Sequence, residues 1–520
     1  MTSHRAFSHV DILCEVCEWV DCIPGTRYQT RRTLASLARV CKALHEPAVR
    51  LLWRELDSIF QIFLVLPSFV LRRENAEPSP LSTHEEFYNE YHLPADIPAH
   101  EWSRLRKYAA YVRAVTFKSR IYCPLYLTSW ARGRMEMSHQ SWSSIKNLFG
   151  DDSVFPNLQR LDWQIAEVDF QFDSLSHFLS PSLRTLVINC QVASRIPVRQ
   201  EYRDTWSGHL RQLVSDVLRR SPQLAELTLY YGGSLTPAQF FNPLALTPPL
   251  SLRSLTIVGP TDKAVDLSDL RILAQIPHLE SLTFRKDLEF DDSPTPGHPR
   301  CGVTFPHLRS LRFLSRYVAT NARYHMLASA SLQSLHISSY CFIDASSLQH
   351  DCVNWTRSFP SLAHFTCSFN RKEPSDPGAT LWYVPHSIPA LFAPILALRS
   401  IREFSINLAN VCALVEDRDL AAFAESWPSL EVLALKTWPY PHGVPESTVG
   451  LQGFLSLARG CPRLSMLNLD AVCIDTETLS QAALVSVPTQ CTLRTLRVRG
   501  VLSPGVRLLL AEHMFPSLAL

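Results

Sequence analysis

The sequence predicts an α/β solenoid that follows a small helical module. Three observations lead to this prediction. An apolar string with leucines at fixed spacing recurs along most of the 520 residues. Amphipathic segments separate many of its copies, whereas residues 1–66 lack the string. The chain also contains 36 Pro and only 16 Gly, which suits a fold that uses proline repeatedly to end helices.

The first 66 residues predict three short helices. Apolar residues recur at helical spacing over residues 11–20 and again over residues 33–44. A third helix is expected to begin at Glu46 and Pro47, because proline suits the first helical turn, and to run to Leu56. A three-helix core of this size is too small to be very stable alone. We therefore expect the module to dock on a partner or on the next domain.

Residues 67–101 differ in composition from both neighbouring regions. Between residues 72 and 101 there are seven acidic residues and four prolines. This composition indicates an acidic, Pro-rich linker, or a flap, between the helical module and the solenoid.

Residues 102–520 carry the repeat. The string Pro-x-Leu-x-x-Leu-x-apolar begins at Pro156, Pro181, Pro222, Pro277, Pro306, Pro360, Pro428, Pro462 and Pro516. Degenerate copies without that proline are centred on Leu252/Leu255, Leu332/Leu335, Leu398/Ile401 and Leu493/Leu496. Most successive copies are 24 to 30 residues apart, which fits the leucine-rich-repeat period of about 20–29 residues.

Each copy predicts one strand of a parallel sheet. Alternate residues of the string face the core, and residues 112–117 form the first strand of this kind. Amphipathic helices precede several copies, as at residues 209–218 and 419–425. One such unit cannot bury its apolar face alone, so stacked units share a core. The expected fold is a leucine-rich-repeat solenoid of about a dozen repeats, with strands on the concave side and helices on the convex side.

The N-terminal helices resemble a known module. Residues 34–41 and 46–56, preceded by Ile12, Leu13 and Val16, resemble the F-box, especially that of the F-box proteins of mushroom-forming fungi. Together with the repeats, the resemblance implies an F-box/leucine-rich-repeat protein. Such a protein is the non-catalytic substrate receptor of a cullin–RING (SCF-type) ubiquitin ligase. Its F-box binds the Skp-type adaptor of the cullin, and its repeats bind a protein substrate, which the sequence does not identify.

Carried over by position, the resemblance implies nine adaptor-facing residues. They are Ile12, Leu13, Val16, Val40, Cys41, Leu44, Leu52, Trp53 and Leu56. Trp53 is the foremost candidate, because aromatic anchors dominate interfaces. Some of the nine must belong to the core of the module instead, and the sequence does not sort them.

One difference from the family motivates a second hypothesis. The family opens with Leu-Pro before the first helix, where this chain has His9 and Val10. The alternative is a ligase-independent scaffold, in which the N-terminal helices only cap the first repeat and the solenoid binds partners elsewhere.

Two groups of residues are candidates for substrate binding. Arg285 and Arg312 lie on neighbouring strands of the predicted sheet and suit an anion, and His336 follows on the next strand as a surface histidine. Long insertions hold a second group, which either anchors a substrate or packs over the edge of the solenoid. That group consists of Trp382, Tyr383, Trp438 and Tyr440.

Metal-binding and catalytic alternatives have weaker support. Cys14, Cys17, Cys41 and His45 have zinc-like spacing, but the three cysteines lie among apolar residues, so we expect buried thiols and no metal. The chain has no Gly-x-Ser-x-Gly, Gly-x4-Gly-Lys-Ser/Thr or His-Glu-x-x-His motif. We therefore expect neither catalysis nor a cofactor. An enzyme or ligand sensor with a cleft in the solenoid is the third hypothesis.

Charge and hydropathy set further expectations. A net charge of +2 weighs against nucleic acid or anionic lipid as a partner. The first ten residues contain no apolar signal region, and the longest apolar run, residues 59–71, is interrupted and shorter than the roughly 20 residues of a membrane span. We expect a cytoplasmic or nuclear protein without a membrane segment, with its 14 cysteines reduced.

Overall fold

The structure of the chain is a computed structural model. It describes residues 10–22, 27–74, 88–118, 134–164, 173–190, 200–231, 250–259, 267–285, 303–315, 327–339, 345–369, 383–408, 412–437, 448–469, 473–474, 492–498, 510–512 and 514–518.

The described helices are α1 Val10–Cys22, α2 Arg27–Leu37, α3 Lys42–Arg54, α4 Phe60–Phe63, α5 Ala99–Ala109, α6 His139–Phe149, α7 Asp173–Ser176, α8 Gln200–Arg220, α9 Leu267–Leu273, α10 Ala345–Ser358, α11 Ile388–Leu391, α12 Ala393–Leu396, α13 Asp417–Ser426 and α14 Leu451–Gly460. The described strands are β1 Glu55–Leu56, β2 Val70–Glu74, β3 Tyr88–His92, β4 Ala114–Lys118, β5 Arg134–Met137, β6 Arg160–Gln164, β7 Thr185–Cys190, β8 Glu226–Tyr231, β9 Ser254–Val258, β10 Ser281–Arg285, β11 Val303–Thr304, β12 Ser310–Ser315, β13 Leu327–Ala328, β14 Ser334–Ser339, β15 His364–Phe369, β16 Tyr383–Ser387, β17 Glu403–Leu408, β18 Cys412–Leu414, β19 Val432–Thr437, β20 Thr448–Val449, β21 Met466–Leu469, β22 Cys473–Ile474 and β23 Thr495–Val498.

The chain divides into two compact units, and both have the predicted α/β architecture. The first unit is Met1–Leu235 with Pro249–Leu252, and the second is Thr236–Pro248 with Arg253–Leu520. The parallel strands of the first unit have the order β1-β4-β6-β7-β8, and those of the second have the order β9-β10-β12-β14-β15-β17-β19-β21-β23. Most of these strands come from successive copies of the repeat, which confirms the leucine-rich-repeat fold.

The strands form because their apolar residues alternate with small polar ones. In β10, the side chains of Leu282 and Phe284 are buried, whereas those of Ser281 and Thr283 are half-buried on the opposite face. Leu282 pairs in register with the equivalent leucines of β9 and β12. Helices cover this apolar face in the second unit. For example, the ring of Phe404 in β17 lies 5.6 Å from that of Phe423 in α13.

Proline ends the helices as the sequence predicts. Helices α13 and α14 each stop two residues before a proline, at Ser426 and Gly460. The residues that precede Pro428 and Pro462 have non-helical dihedral angles, with φ −128° and ψ 73° at Trp427. The pyrrolidine ring disfavours the helical region at the preceding residue, so the chain turns there and enters the next strand.

A hydrogen bond also links some of the repeats, and the leucine spacing does not predict it. In several copies, the residue before the first core residue donates a side-chain hydroxyl hydrogen bond to the carbonyl of the equivalent core residue of the preceding copy. Ser251, Ser331 and Thr492 make this bond to Leu224, Leu308 and Leu464 at 2.9, 3.1 and 2.9 Å. These three hydroxyls lie in degenerate copies that lack the leading proline, and Ser400 does the same in the fourth, at 2.7 Å from the Leu362 carbonyl.

Two boundary predictions are wrong. The copy centred on Leu398/Ile401 lies three residues later, because Phe404 pairs with Phe365 and Leu433 and is therefore the second core residue. The helix predicted over residues 33–44 ends at Leu37, and α3 begins at Lys42 with Pro47 inside it. One straight helix would separate Leu34 from Leu44 by about 15 Å, yet both pack in one cluster with Leu13. The turn between α2 and α3 permits this packing.

The helical module continues directly into the sheet of the first unit. Strand β1 follows α3 and pairs in parallel with β4, so it precedes the strand that the sequence places first. Within the range predicted as a linker, β2 pairs with β3 in antiparallel orientation, and β3 pairs in parallel with β5. The described ends of that range are therefore part of a small three-stranded sheet.

Candidate interaction surfaces

Helix α1 has two apolar faces. Leu13 and Cys17 point into the core cluster of the module, where they meet Leu34, Leu44 and Ala48. An adjacent side of the helix, about 110° around its axis, carries Ile12, Val16 and Trp19, spaced four and three residues apart, as neighbours on one helical face are. These three side chains, the outer stripe of α1, are 43 %, 45 % and 70 % exposed. An exposed tryptophan beside two exposed aliphatic side chains makes the outer stripe a candidate interaction surface.

The structure sorts the nine adaptor candidates into exposed and internal residues. Ile12, Val16, Val40 and Cys41 are exposed. Leu13, Leu44 and Leu56 are buried, and Leu52 packs against the core cluster. The buried residues cannot meet a partner while the module stays folded, because their side chains already fill its core.

Trp53 holds two helices together instead of presenting a free face. Its ring stacks on that of Tyr108 in α5 at a centroid distance of 4.9 Å. Nearby, the Tyr111 hydroxyl donates a hydrogen bond to Oε1 of Glu46 in α3. This bond is the main reason that the pKa of Glu46 is lowered, whereas burial, followed by the bond, raises the pKa of Tyr111. Residues on both sides of the predicted linker are thus packed against each other.

Sequence reasoning missed Trp19 as an adaptor candidate. The resemblance carries over Ile12, Leu13 and Val16 but stops one turn short of this residue. The signal was present, because Trp19 lies three residues after Val16 and seven after Ile12, on the side of the helix away from Leu13 and Cys17.

The exposed face of the second unit's sheet brings Arg285, Arg312 and His336 into one neighbourhood. Arg312 pairs in register with Thr283 on one side and His336 on the other. Both arginine side chains are exposed, and His336 is half-buried. Burial and, secondarily, the positive charge of Arg312 lower the pKa of His336 to about 4. The imidazole is therefore neutral at physiological pH, beside the permanent cation of Arg312.

The insertion aromatics give no site in the structure. Trp382, Trp438 and Tyr440 lie outside the described residues, and only the backbone of Tyr383, at the start of β16, is described. Their predicted role as substrate anchors stays a prediction.

The four candidate zinc ligands do not form a cluster. Cys17 is buried in the module core, whereas Cys41 is exposed at the start of α3. The ring of His45 lies 2.9 Å from the Ala38 carbonyl oxygen. Within the part of the chain that the structure describes, which includes all four residues, no group of three potential ligands is close enough to hold a metal ion.

A cavity of about 860 Å³ lies in the first unit, beside the C-terminal ends of α5, α6 and α8. Arg106, Arg219 and Arg220 line it together with Asp151 and Asp152. Two of the arginines are paired: Arg220 with Asp151 at 3.1 Å, and Arg219 with Asp216 at 2.8 Å. Since these ion pairs neutralise much of the charge, the cavity favours no ligand class.

Among the described helices, none combines the length and apolar character needed to cross a bilayer.

Comparisons with known proteins give no family. No protein-family model matches the chain, and no curated protein matches it. Among solved structures, an internalin from Listeria monocytogenes is similar at a TM-score of 0.32 and 12 % identity, over 69 % of this chain and 84 % of that one. The yeast complex of Rad7 and Elc1 is similar at a TM-score of 0.31 and 14 % identity, over 74 % and 80 %. Both scores are too low to bear on function.

Proposed function

We propose that the chain is a non-catalytic substrate receptor of a cullin–RING ubiquitin ligase. In this proposal the outer stripe of α1 binds the Skp-type adaptor, and the exposed face of the repeat sheet binds a protein substrate. The observation that carries the proposal is the outer stripe itself, three apolar side chains exposed to solvent on a helix whose adjacent face already packs in the module core. The F-box resemblance of the same helices supports it.

The mechanism is proximity. A receptor that holds its substrate beside the charged ubiquitin carrier turns an encounter in solution into a reaction between neighbours. Such a receptor needs two separate surfaces and no reactive group of its own. In this proposal the outer stripe of α1 and the polar face of the sheet serve as these two surfaces.

The test is co-purification of adaptor and cullin with the tagged full-length chain. We expect Val16→Asp and Trp19→Ala to abolish co-purification while the chain stays folded, since both side chains project into solvent. Val353→Asp is the matched control, because Val353 on α10 is 41 % exposed, close to the 45 % of Val16. Absence of adaptor and cullin from the wild-type preparation would rule the proposal out.

A ligase-independent scaffold is the second candidate, and one observation favours it. Helix α3 leads into β1, which pairs with β4, and Trp53 stacks on α5. The helices therefore cap the first repeats, which is the role that the scaffold hypothesis gives them. A wild-type chain that binds other proteins but neither adaptor nor cullin would favour the scaffold.

A further inference from the structure

Two histidines lie side by side on the turns that precede β10 and β12. His278 and His307 each follow the leading proline of their copy, and each lies three residues before the first paired residue of its strand, Ser281 or Ser310. Because neighbouring strands are about 5 Å apart, equivalent positions bring the two side chains together. Their ring centroids are 6.1 Å apart, with an angle of 33° between the ring planes.

The nitrogens of both imidazole rings are available to a ligand. The two side chains are exposed, and neither forms a hydrogen bond or an ion pair with any described residue. Two other histidines differ in this respect. The ring of His45 lies 2.9 Å from the Ala38 carbonyl oxygen, and Nδ1 of His364 lies 3.3 Å from Oε2 of Glu403.

The separation of the two rings suits two ligands of one metal ion. An imidazole nitrogen lies about 2.0–2.1 Å from a bound Zn²⁺, so two rings on one tetrahedral ion have centroids about 5 Å apart. From their distance of 6.1 Å, the two rings need to approach each other by about 1 Å. Exposed side chains change rotamer within picoseconds to nanoseconds, so this approach requires no movement of the backbone.

We propose that His278 and His307 together bind a divalent transition-metal ion of the Zn²⁺ class, which joins two successive repeats. Imidazole is the commonest protein ligand of such ions. Within the described part of the chain, no group of three potential ligands is close enough to hold an ion. Water therefore completes the coordination, and the ion exchanges with solution. The site uses neither the outer stripe of α1 nor the exposed face of the sheet, so it does not depend on the proposed function.

Charged residues of both signs lie close to the histidine pair in the sequence. Glu280 and Arg309 follow His278 and His307 by two residues each, and Arg253 pairs with Glu280 at 3.1 Å. One carboxylate offsets only part of the repulsion that two guanidinium groups exert on a dication. The affinity of the site therefore comes from imidazole coordination. Because the ion binds the folded chain, it also stabilises the second unit in proportion to its concentration relative to its dissociation constant.

The test is a Zn²⁺ titration of the purified full-length chain by equilibrium dialysis, with its thiols kept reduced. Cysteines elsewhere in the chain can also bind zinc, so the number of bound ions is compared between variants. We expect the wild type to bind one more ion per chain than His278→Gln or His307→Gln. The double variant should lose no more than either single variant, because one ion needs both rings. His350→Gln is the matched control, since His350 is an exposed histidine on α10.

X-ray absorption identifies the ligands of the ion that the variants lose. Nitrogen lies at about 2.0–2.1 Å from zinc and sulfur at about 2.3 Å, so the difference between wild type and double variant should contain nitrogen alone. Equal zinc binding by these two chains would reduce the pair to a ring contact. Partial losses that add in the double variant would mean two independent one-ligand contacts, and the same loss in His350→Gln would mean nonspecific binding. Each of these results would overturn the proposal.

Discussion

At the scale of single residues, two tryptophans of the N-terminal helices have opposite surroundings. Trp53 stacks on Tyr108, whereas Trp19 is 70 % exposed. A sequence motif records the presence of an aromatic residue but not the direction of its side chain. The fold shows that direction. We therefore expect the adaptor to contact the outer stripe of α1 and not Trp53.

We expect Trp53→Ala to lower the free energy of unfolding by about 2 kcal/mol, less than the truncation of a fully buried tryptophan costs, because Trp53 is only half-buried. Trp19→Ala should change it by less than about 0.5 kcal/mol, because the side chain makes few contacts that folding creates. Urea unfolding of the first unit, followed by tryptophan fluorescence and circular dichroism, measures both. Equal losses in the two variants would contradict the assignment.

His336 offers a residue-scale prediction about ionisation. Arg312→Gln is expected to raise its pKa from about 4, but not to the ordinary 6.5, because burial is the larger cause of the shift. The folded chain binds this proton less readily than the unfolded chain does, so the histidine's contribution to stability falls as the pH drops from 6.5 toward 4. An NMR titration of the imidazole measures the pKa, with Arg497→Gln as control. Full recovery of 6.5 would contradict the order of causes.

At the scale of elements, apolar packing defines every repeat, and a hydrogen bond to the preceding repeat adds to it in several of them. Apolar residues in register make the core, and a hydroxyl at the residue before the first leucine joins one turn to the next. Four repeats without the leading proline all carry this hydroxyl. A leading proline restricts the backbone of its own repeat, whereas the hydroxyl forms a hydrogen bond between its repeat and the preceding one.

We expect Ser331→Ala to lower the free energy of unfolding by about 1 kcal/mol, since it removes a hydrogen bond between two turns. Ser361 occupies the same position in its repeat, is exposed, and makes no such bond among the described residues. Ser361→Ala should therefore be neutral to within about 0.5 kcal/mol. Urea unfolding of the second unit measures the pair. An equal effect of the two substitutions would show that the bridging bond adds no stability.

Much of the fold could be predicted from the sequence at this scale, because leucine spacing encodes which residues face the core. The copy near Ile401 shows where the prediction fails. There Leu398, Ile401 and Phe404 are all apolar at equal spacing, so two frames fit, and only the pairing of Phe404 with Leu433 decides between them. For the candidate sites, the sequence was sufficient to place Arg285 and Arg312 on neighbouring strands. The position of Trp19 on one helical face with Ile12 and Val16 could also be read from the sequence, but the exposure of that face depends on which side of α1 meets the core.

At the scale of the whole molecule, the helical module is not separable from the first repeats. Both belong to one compact unit. Contacts cross residue 66 at several points, including the pairing of β1 with β4 and the ring contact between Phe60 and Phe117. The module has a small core of its own and gains stability from these contacts.

We expect deletion of residues 1–66 to lower the melting temperature of the remaining chain or to make it insoluble, because the deletion exposes the edge of β4 and the faces of Phe117 and Tyr108. Thermal unfolding followed by circular dichroism measures the effect. Deletion of residues 1–9, which precede α1, is the control. An unchanged melting temperature after the longer deletion would mean that the module is an independent domain.

The register of the strands has a consequence for how such a chain changes over generations. Glu403 and Val432 both occupy the first position of their strands, and β15, β17 and β19 pair without any offset. Loss of residues 403–431 would remove β17, the short strand β18 and one helix together and bring Val432 to the place of Glu403. A gene segment that encodes one repeat can therefore be duplicated or lost while the remaining strands keep their register. The length of the exposed sheet face can change in this way during evolution.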